Sequence, residues 1–211
     1  MYLGRIVAAG LTADGKPVAA YRVSSRSFPN RSANLANGMI SIIPRKGHED
    51  DLSKNPYIAY HCVRLSGSVA LATNGSQTDP IIEKIISGMS VRDAFALSLL
   101  AMDYEKDSMD TPRIAAAIDA ETKICTMGIV RKDAILVKQF EAKPGAVYYL
   151  STYEKNAPCR KQIEEAFAAT DAASACQAVI NGGIFAGFDN PVTAAAAVWN
   201  GTSYDLAVQD A

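Results

Sequence analysis

After Lys161 the 211-residue chain has no lysine or arginine, and between Gly15 and His48 it has no acid. The first part is therefore basic, through Lys16, Arg22, Arg26, Arg31, Arg45 and Lys46. The last part is acidic, through Glu164, Glu165, Asp171, Asp189, Asp205 and Asp210. Such an imbalance suits a small anionic ligand, a contact between the two ends, or a contact between subunits. The net charge is only -1, so no overall field draws in nucleic acid or a membrane surface. No apolar run approaches the length of a bilayer-spanning helix. There is no Walker A pattern, no G-x-G-x-x-G and no G-x-S-x-G, so any phosphate must be held by side chains. The two histidines, His48 and His61, are not spaced as metal ligands, and "GHEDD" (47–51) reads as a solvated loop. Nothing local to either supports a Ser-His-Asp triad. Cys62, Cys125, Cys159 and Cys176 form no C-x-x-C pair and read as reduced thiols. "MYLGRIVAAG" lacks the shape of a signal peptide and reads as a first strand. The expectation is a soluble cytoplasmic protein.

The apolar pattern alternates between strand and helix periods. Strands are expected at Leu3–Gly10 and Val18–Val23, joined by the Asp-Gly turn of "TADGKP". Further strands are expected at Met39–Pro44, and at Ile58–Leu65 and Val69–Thr73 around "SGS". Then the period changes. Asp79 is expected to cap a helix with Pro80 at its first position and Ile81, Ile82, Ile85 and Ile86 on one face. Ser90 is expected to cap a second, largely buried helix. Strands return at Arg113–Asp119, Lys123–Arg131, Ala134–Phe140 and Ala146–Ser151. Helices follow near Pro158–Ala168 and Ala172–Ile180. A hairpin around Asn200-Gly201, Val192–Trp199 with Ser203–Ala207, ends the pattern. This order suits an α+β, four-layer αββα sandwich, two antiparallel sheets flanked by helices, in one domain spanning 1–211.

Four polar segments interrupt the apolar structure. "YRVSSRSFPNR" (21–31) combines three arginines with serines and an asparagine; it is either an anion site or a solvated loop with surface ion pairs. "NPYIAY" (55–60) places Tyr57 and Tyr60 at a strand start, as core residues or, with an arginine nearby lowering the phenol pKa, as proton carriers. "TNGSQTD" (73–79) offers Asn74 and Ser76 at a helix N-terminus, or is a plain turn and cap. "AMDYEKDSMDTPR" (101–113) gathers Asp103, Glu105, Asp107 and Asp110 after a helix end, where negative charge opposes the dipole.

Together "MYLGRI", "AAYRVSSRSFPNR", "NPYIAY", "NGSQTD", "LSLLAMDYEKDSMDTPRIAAAI", "STYE" and "PVTAAAA" resemble the archaeal-type IMP cyclohydrolase family, nearly throughout the chain and in the family's order. The resemblance implies an N-terminal-nucleophile-hydrolase-like αββα fold. It also implies the last step of purine synthesis, closure of 5-formamidoimidazole-4-carboxamide ribotide to inosine monophosphate with loss of water, without metal or organic cofactor. The substrate would be that purine ribotide, and the protein a homo-oligomer such as a tetramer. Met1 and Tyr2 cannot serve as the fold's usual terminal nucleophile, and processing at Thr12 or Ser24 would delete the first strand. Carried onto matching positions, Tyr60 and Glu105 transfer protons and Arg31 stabilises negative charge on the formyl oxygen. Arg22, Ser24, Ser25, Arg26 and Asn30 bind phosphate and ribose, with Asn74, Ser76 and Arg113 in support. Which arginine holds phosphate stays open. So do three other readings: an amide-hydrolysing relative of the same fold, a non-catalytic purine nucleotide-binding module, and RNA contact, which lacks an aromatic platform.

Overall fold

The computed structural model describes residues 1–211. Thirteen strands form two antiparallel sheets. One sheet is a meander in chain order: β3 (Arg31–Ala36), β4 (Met39–Pro44), β5 (Tyr60–Ser66), β6 (Val69–Thr73), β7 (Arg113–Asp119), β8 (Ile124–Arg131) and β9 (Ala134–Glu141). The other draws on both halves of the chain. Its central pair is β1 (Ile6–Leu11) and β2 (Pro17–Ser24). On one side β1 pairs with β10 (Ala146–Ser151), which carries the two-residue β11 (Ile163–Glu164). On the other β2 pairs with β12 (Pro191–Trp199), followed by β13 (Tyr204–Asp210).

Strand alternation explains the layering. A residue and its neighbour point to opposite faces. Along β1 and β2, Val7, Ala9, Ala19, Tyr21 and Val23 join a core between the sheets with Ile40, Cys62, Ala72, Ala116 and Met127. Their neighbours Ile6, Ala8, Val18 and Ala20 face outward to a second core. Strands buried on both faces lose their polar alternation and read as continuous apolar runs. Four helices accompany the sheets: α1 (Asp51–Lys54), α2 (Thr78–Ile86), α3 (Val91–Met102) and α4 (Ala172–Asn181). Ile81, Ile82, Phe95 and Leu99 of α2 and α3 cover the outer face of the meander. Gly128 of β8 permits this approach, because a Cβ there would lie 2.7 Å from the Phe95 ring. Ala175, Cys176 and Val179 of α4 cover the outer face of the other sheet. The molecule is thus a sandwich with helices on both outer faces. No helix is long and apolar enough to cross a membrane.

The structure departs from the sequence pattern in several places. The strand expected at Ile58–Leu65 begins at Tyr60, because Pro56–Ile58 form a 3-10 turn, and the segment expected as a loop at 47–51 leads into the short helix α1. Residues 158–168 are not helical. Phe167 N–H donates to Gly145 O at 2.8 Å and Tyr149 N–H to Gln162 O at 3.2 Å, so this segment runs along β10. Strand β3 was not expected; its outer half, Asn34–Ala36, is exposed at a sheet edge, where a polar sequence is tolerated. Helix α2 begins one residue before Asp79, with no side-chain cap. Asp79 instead accepts from Arg64 at 2.8 Å and lies 2.9 Å from His61 Nδ1. The first strand starts at Ile6, because Gly4 (φ +73°) turns the chain where a side chain would meet Thr152 and Tyr153. The Ser90 cap forms as expected, accepting from Asp93 N–H at 3.2 Å.

Candidate active site

The basic and acidic ends of the sequence meet, and much of the meeting is structural. Arg22 faces outward from β2 and is fully buried. Its guanidinium donates to Val179 O and Ile180 O in the last turn of α4, and to Phe185 O, Phe188 O and Asp189 O beyond it. Its Nε donates to Ser24 Oγ at 2.9 Å. A helix C-terminus leaves carbonyls without partners and carries partial negative charge. The acidic end has no cation of its own, so β2 supplies one. Arg45–Asp210 at 3.0 Å and the Met1 amino group with Asp189 at 3.1 Å are further contacts between the ends.

This corrects the expectation for two residues. The Arg22 guanidinium is fully engaged behind the sheet, and Ser24, 1% exposed, accepts from it there, so neither faces the cleft that Arg31 lines. Burial lowers the Arg22 pKa to about 10, with Asp189 opposing the shift. Arg22→Met should cost about 3 kcal/mol or more in urea unfolding, because buried carbonyls lose their donor. Measured where it is folded, the variant should keep KM near wild type. A raised KM without loss of stability would return Arg22 to a ligand site.

Arg31 takes the opposite direction. It opens β3, is 2% exposed, and its Nε donates to Phe28 O at 3.1 Å. It lines a cleft of about 110 Å³ with Arg5, Ser25, Tyr57, Glu105 and Tyr153. A larger groove of about 410 Å³ opens between Phe140 and Arg160, but its charged residues are all exposed. The smaller cleft holds the buried charge.

Glu105 is the centre of that cleft, 1% exposed. Its Oε2 accepts from Arg5 at 3.1 Å, and its Oε1 lies 3.7 Å from Arg113 with no hydrogen-bond partner. Arg5 Nε also lacks a partner. An unpartnered buried carboxylate oxygen is costly and needs an explanation; a bound ligand supplies one. Burial pushes the Glu105 carboxyl above the usual glutamate range, against the pull of Arg5, Arg113 and Arg31. Burial opposes the Arg5 charge, but the neighbouring Glu105 carboxylate counters it, and the Arg5 pKa is raised above the ordinary arginine value.

Local structure holds these groups in place. Arg5 is clamped by its backbone: its N–H donates to Thr152 Oγ1 at 3.2 Å and its carbonyl accepts from Thr152 N–H at 3.0 Å. The acidic loop after α3 folds on itself. Asp107 accepts from the Met109 and Thr111 N–H groups and the Thr111 hydroxyl, while Glu105 N–H donates to Thr111 O at 2.8 Å. Asp103 and Asp110 take positive φ of 56° and 47° to make the bend. Acids that read as unfavourable at a helix end therefore shape the loop that presents Glu105. Gly75 leaves the room: a Cβ there would lie 2.8 Å from the Arg113 guanidinium and 3.1 Å from Glu105 Oε1.

Tyr60 begins β5, and its hydroxyl lies 2.6 Å from that of Tyr21. Burial pushes the Tyr60 phenol up despite Arg31 and Arg5, so the arginines do not lower it below its ordinary value as the sequence suggested. Arg113 supports the cleft from behind, donating to Asp103 O at 2.9 Å, Gln77 Oε1 at 3.1 Å and the exposed Ser76 hydroxyl at 3.3 Å. Asn74 is a second correction. It is fully buried, donates to Pro112 O, and accepts from Ile114 N–H and Gln77, so it ties the turn to β7 and its neighbours rather than facing the cleft. Ser25 lines the cleft and accepts from Phe28 N–H at 3.0 Å. Arg26 is exposed at the mouth, 4.0 Å above the Tyr2 ring, and Asn30 is half-buried beside Arg31. Arg5 and Tyr153 also line the cleft and Tyr21 bonds Tyr60, though no sequence pattern marks them. A lone arginine in an apolar start and tyrosines in strands carry no local signal of a site.

The cleft offers a carboxylate with an open oxygen and three arginines around one anion. Tyr60 is not among the residues lining it but lines a second groove of about 340 Å³ with His61 and Ser76, its phenol within the influence of Arg31 and Arg5. Together these groups can move a proton and stabilise developing negative charge in a nearly dry place.

Comparison with known proteins follows the same line. Residues 2–203 match the family model described as IMP cyclohydrolase-like protein. An IMP cyclohydrolase of Methanosphaera stadtmanae is 49% identical, covering 93% of this chain and 94% of the relative. One from Methanocella arvoryzae is 44% identical, covering 99% and 98%, and one from Methanococcus aeolicus is 43% identical, covering 95% and 97%. The chain belongs to the IMP cyclohydrolase-like family.

Proposed function

We propose that residues 1–211 act as one domain of N-terminal-nucleophile-hydrolase-like fold whose cleft closes 5-formamidoimidazole-4-carboxamide ribotide to inosine monophosphate. The chain is an IMP cyclohydrolase, an enzyme of the cyclic amidine C–N hydrolase class acting in purine biosynthesis. The observation that carries the assignment of the site is Glu105 Oε1, buried and unpartnered among arginines.

Nucleophile and electrophile share one substrate molecule, so binding chiefly selects the folded-back rotamer. The carboxamide nitrogen attacks the formyl carbon and gives a proton to Glu105. Tyr60 gives its proton to the formyl oxygen, with Arg31 stabilising negative charge there. In the second stage the carbon–oxygen bond breaks and the ring C=N bond forms. Glu105 returns its proton to the departing hydroxyl, and Tyr60 recovers one from the former formamide nitrogen. Each group ends as it began, and one water leaves. No step needs a metal ion or organic cofactor.

The phosphate lies at the mouth, on Arg26, Ser25 and Asn30, with Ser76 and Arg113 behind the reacting end. Arg26→Ala should raise KM about tenfold, the loss of one charge-assisted hydrogen bond, with turnover little changed. Loss of turnover alone would place Arg26 at the reacting centre.

Product analysis separates this reading from its rivals. Purified protein incubated with the formylated ribotide should yield IMP, with and without a chelator. An amidohydrolase would release formate and leave the amino ribotide. A binding module would retain ribotide unchanged.

A further inference from the structure

Tyr21 has no place in the reaction above, yet it is fully buried and makes its one side-chain hydrogen bond to Tyr60. It stands on the central strand β2, opposite Val7 of β1 and Ala195 of β12, and reaches across to the other sheet. The rings meet edge to face, 6.3 Å between centroids at 71°. Each hydroxyl has one proton and only the other hydroxyl as partner. If Tyr60 donated to Tyr21, the proton left over would belong to Tyr21, which is 0% exposed and out of reach of a ligand. If Tyr21 donates to Tyr60, the proton left over belongs to Tyr60, the less buried of the two at 9% exposure. Arg5 and Arg31, the charged groups beside it, have no acceptor lone pair. The remaining acceptor is a ligand oxygen.

We infer that Tyr21 is a positioning residue for Tyr60: its hydrogen bond across the two sheets aims the Tyr60 proton at the substrate and holds the phenolate left after transfer. This rests on the acid role given to Tyr60. The titratable groups facing the pair are Arg5 ahead of β1, Arg31 of β3, Cys62 on Tyr60's own strand, and Glu105 beyond Arg5. Burial pushes both phenols up, so both carry their protons near neutral pH. The Tyr21 hydrogen bond pulls the Tyr60 phenol back down. A phenolate so held is a better product of proton transfer than one held by the arginines alone.

Tyr21→Phe removes one oxygen and keeps the ring, and thermal unfolding of the variant shows that the folded protein is being compared. Turnover should fall about tenfold with KM within about twofold, the loss of one hydrogen bond to a charged group. The basic limb of the kcat profile should move to higher pH, because Tyr60 now holds its proton more tightly. In a Tyr60→Phe background, Tyr21→Phe should cost nothing more, since the group it serves is gone. An unshifted basic limb, or losses that multiply in the double variant, would overturn the positioning role and leave the acid role of Tyr60 standing. Wild-type turnover in Tyr60→Phe alone would remove the acid role, and this inference with it.

Discussion

Tyr60→Phe should lower turnover by about 10²-fold or more and leave KM nearly unchanged, the loss expected of a general acid–base residue. The ring stays in the inter-sheet core, so the packing is kept, while the buried Tyr21 hydroxyl loses its one partner. What the variant loses is the proton that neutralises the formyl oxygen as it becomes an alkoxide. In the proposed mechanism Arg31 still stabilises the formyl oxygen, so activity should fall rather than vanish. The basic limb of the pH profile should disappear with the hydroxyl. Steady-state kinetics across pH check both points. Turnover at the wild-type level would exclude Tyr60 from proton transfer.

Glu105→Gln should be more damaging, about 10³-fold in turnover, because the amide cannot take the carboxamide proton. The pH sign follows from the environment. Burial raises the Glu105 carboxyl against three arginines, so it takes up a proton at a pH above the usual glutamate range. Wild-type turnover should fall as pH drops through that raised value, and the acid limb should be absent in the variant. Glutamine keeps an acceptor for Arg5, so Arg5 still has a partner for the donor it now gives Glu105 at 3.1 Å. A variant that retained turnover and its acid limb would show that another group accepts the proton.

Much of the fold could be read from residues. Met39–Pro44, Val69–Thr73, Arg113–Asp119 and Ala146–Ser151 have the observed bounds, because each is a short apolar run closed by turn residues. The Ser90 cap and the hairpin at Asn200-Gly201 rest on equally local chemistry. Strand β3 could not be read that way, since its partners come only from one side and its sequence is free to be polar. Residues 158–168 failed for the opposite reason. Their apolar spacing suits a helix, but Phe167 and Ala169 are buried with α4 from an extended chain, and tertiary packing overrides a short periodic signal.

The site was half legible. Composition marked "YRVSSRSFPNR" as basic but could not separate its arginines. Strand period separates them: Tyr21 and Val23 join the inter-sheet core, so Arg22 between them must face the other way. That signal was present in the sequence and would have removed Arg22 from the ligand. Arg31 lies past Pro29, beyond any period that could be extended from β2. Glu105 was indicated by the family resemblance; its isolation from hydrogen-bond partners exists only once Arg5, Arg113 and the acidic loop come together. Asn74 and Ser76 look alike in a turn, yet one is consumed by backbone and the other is exposed.

The most direct test is the structure of the Tyr60→Phe protein, slowed enough to hold the formylated ribotide. The carboxamide nitrogen should lie within hydrogen-bond distance of Glu105 Oε1, the formyl oxygen should face Arg31, and the phosphate should rest on Arg26 and Ser25. A ribotide in the groove between Phe140 and Arg160, or one whose phosphate occupies the Arg5–Glu105 end of the cleft, would contradict the account.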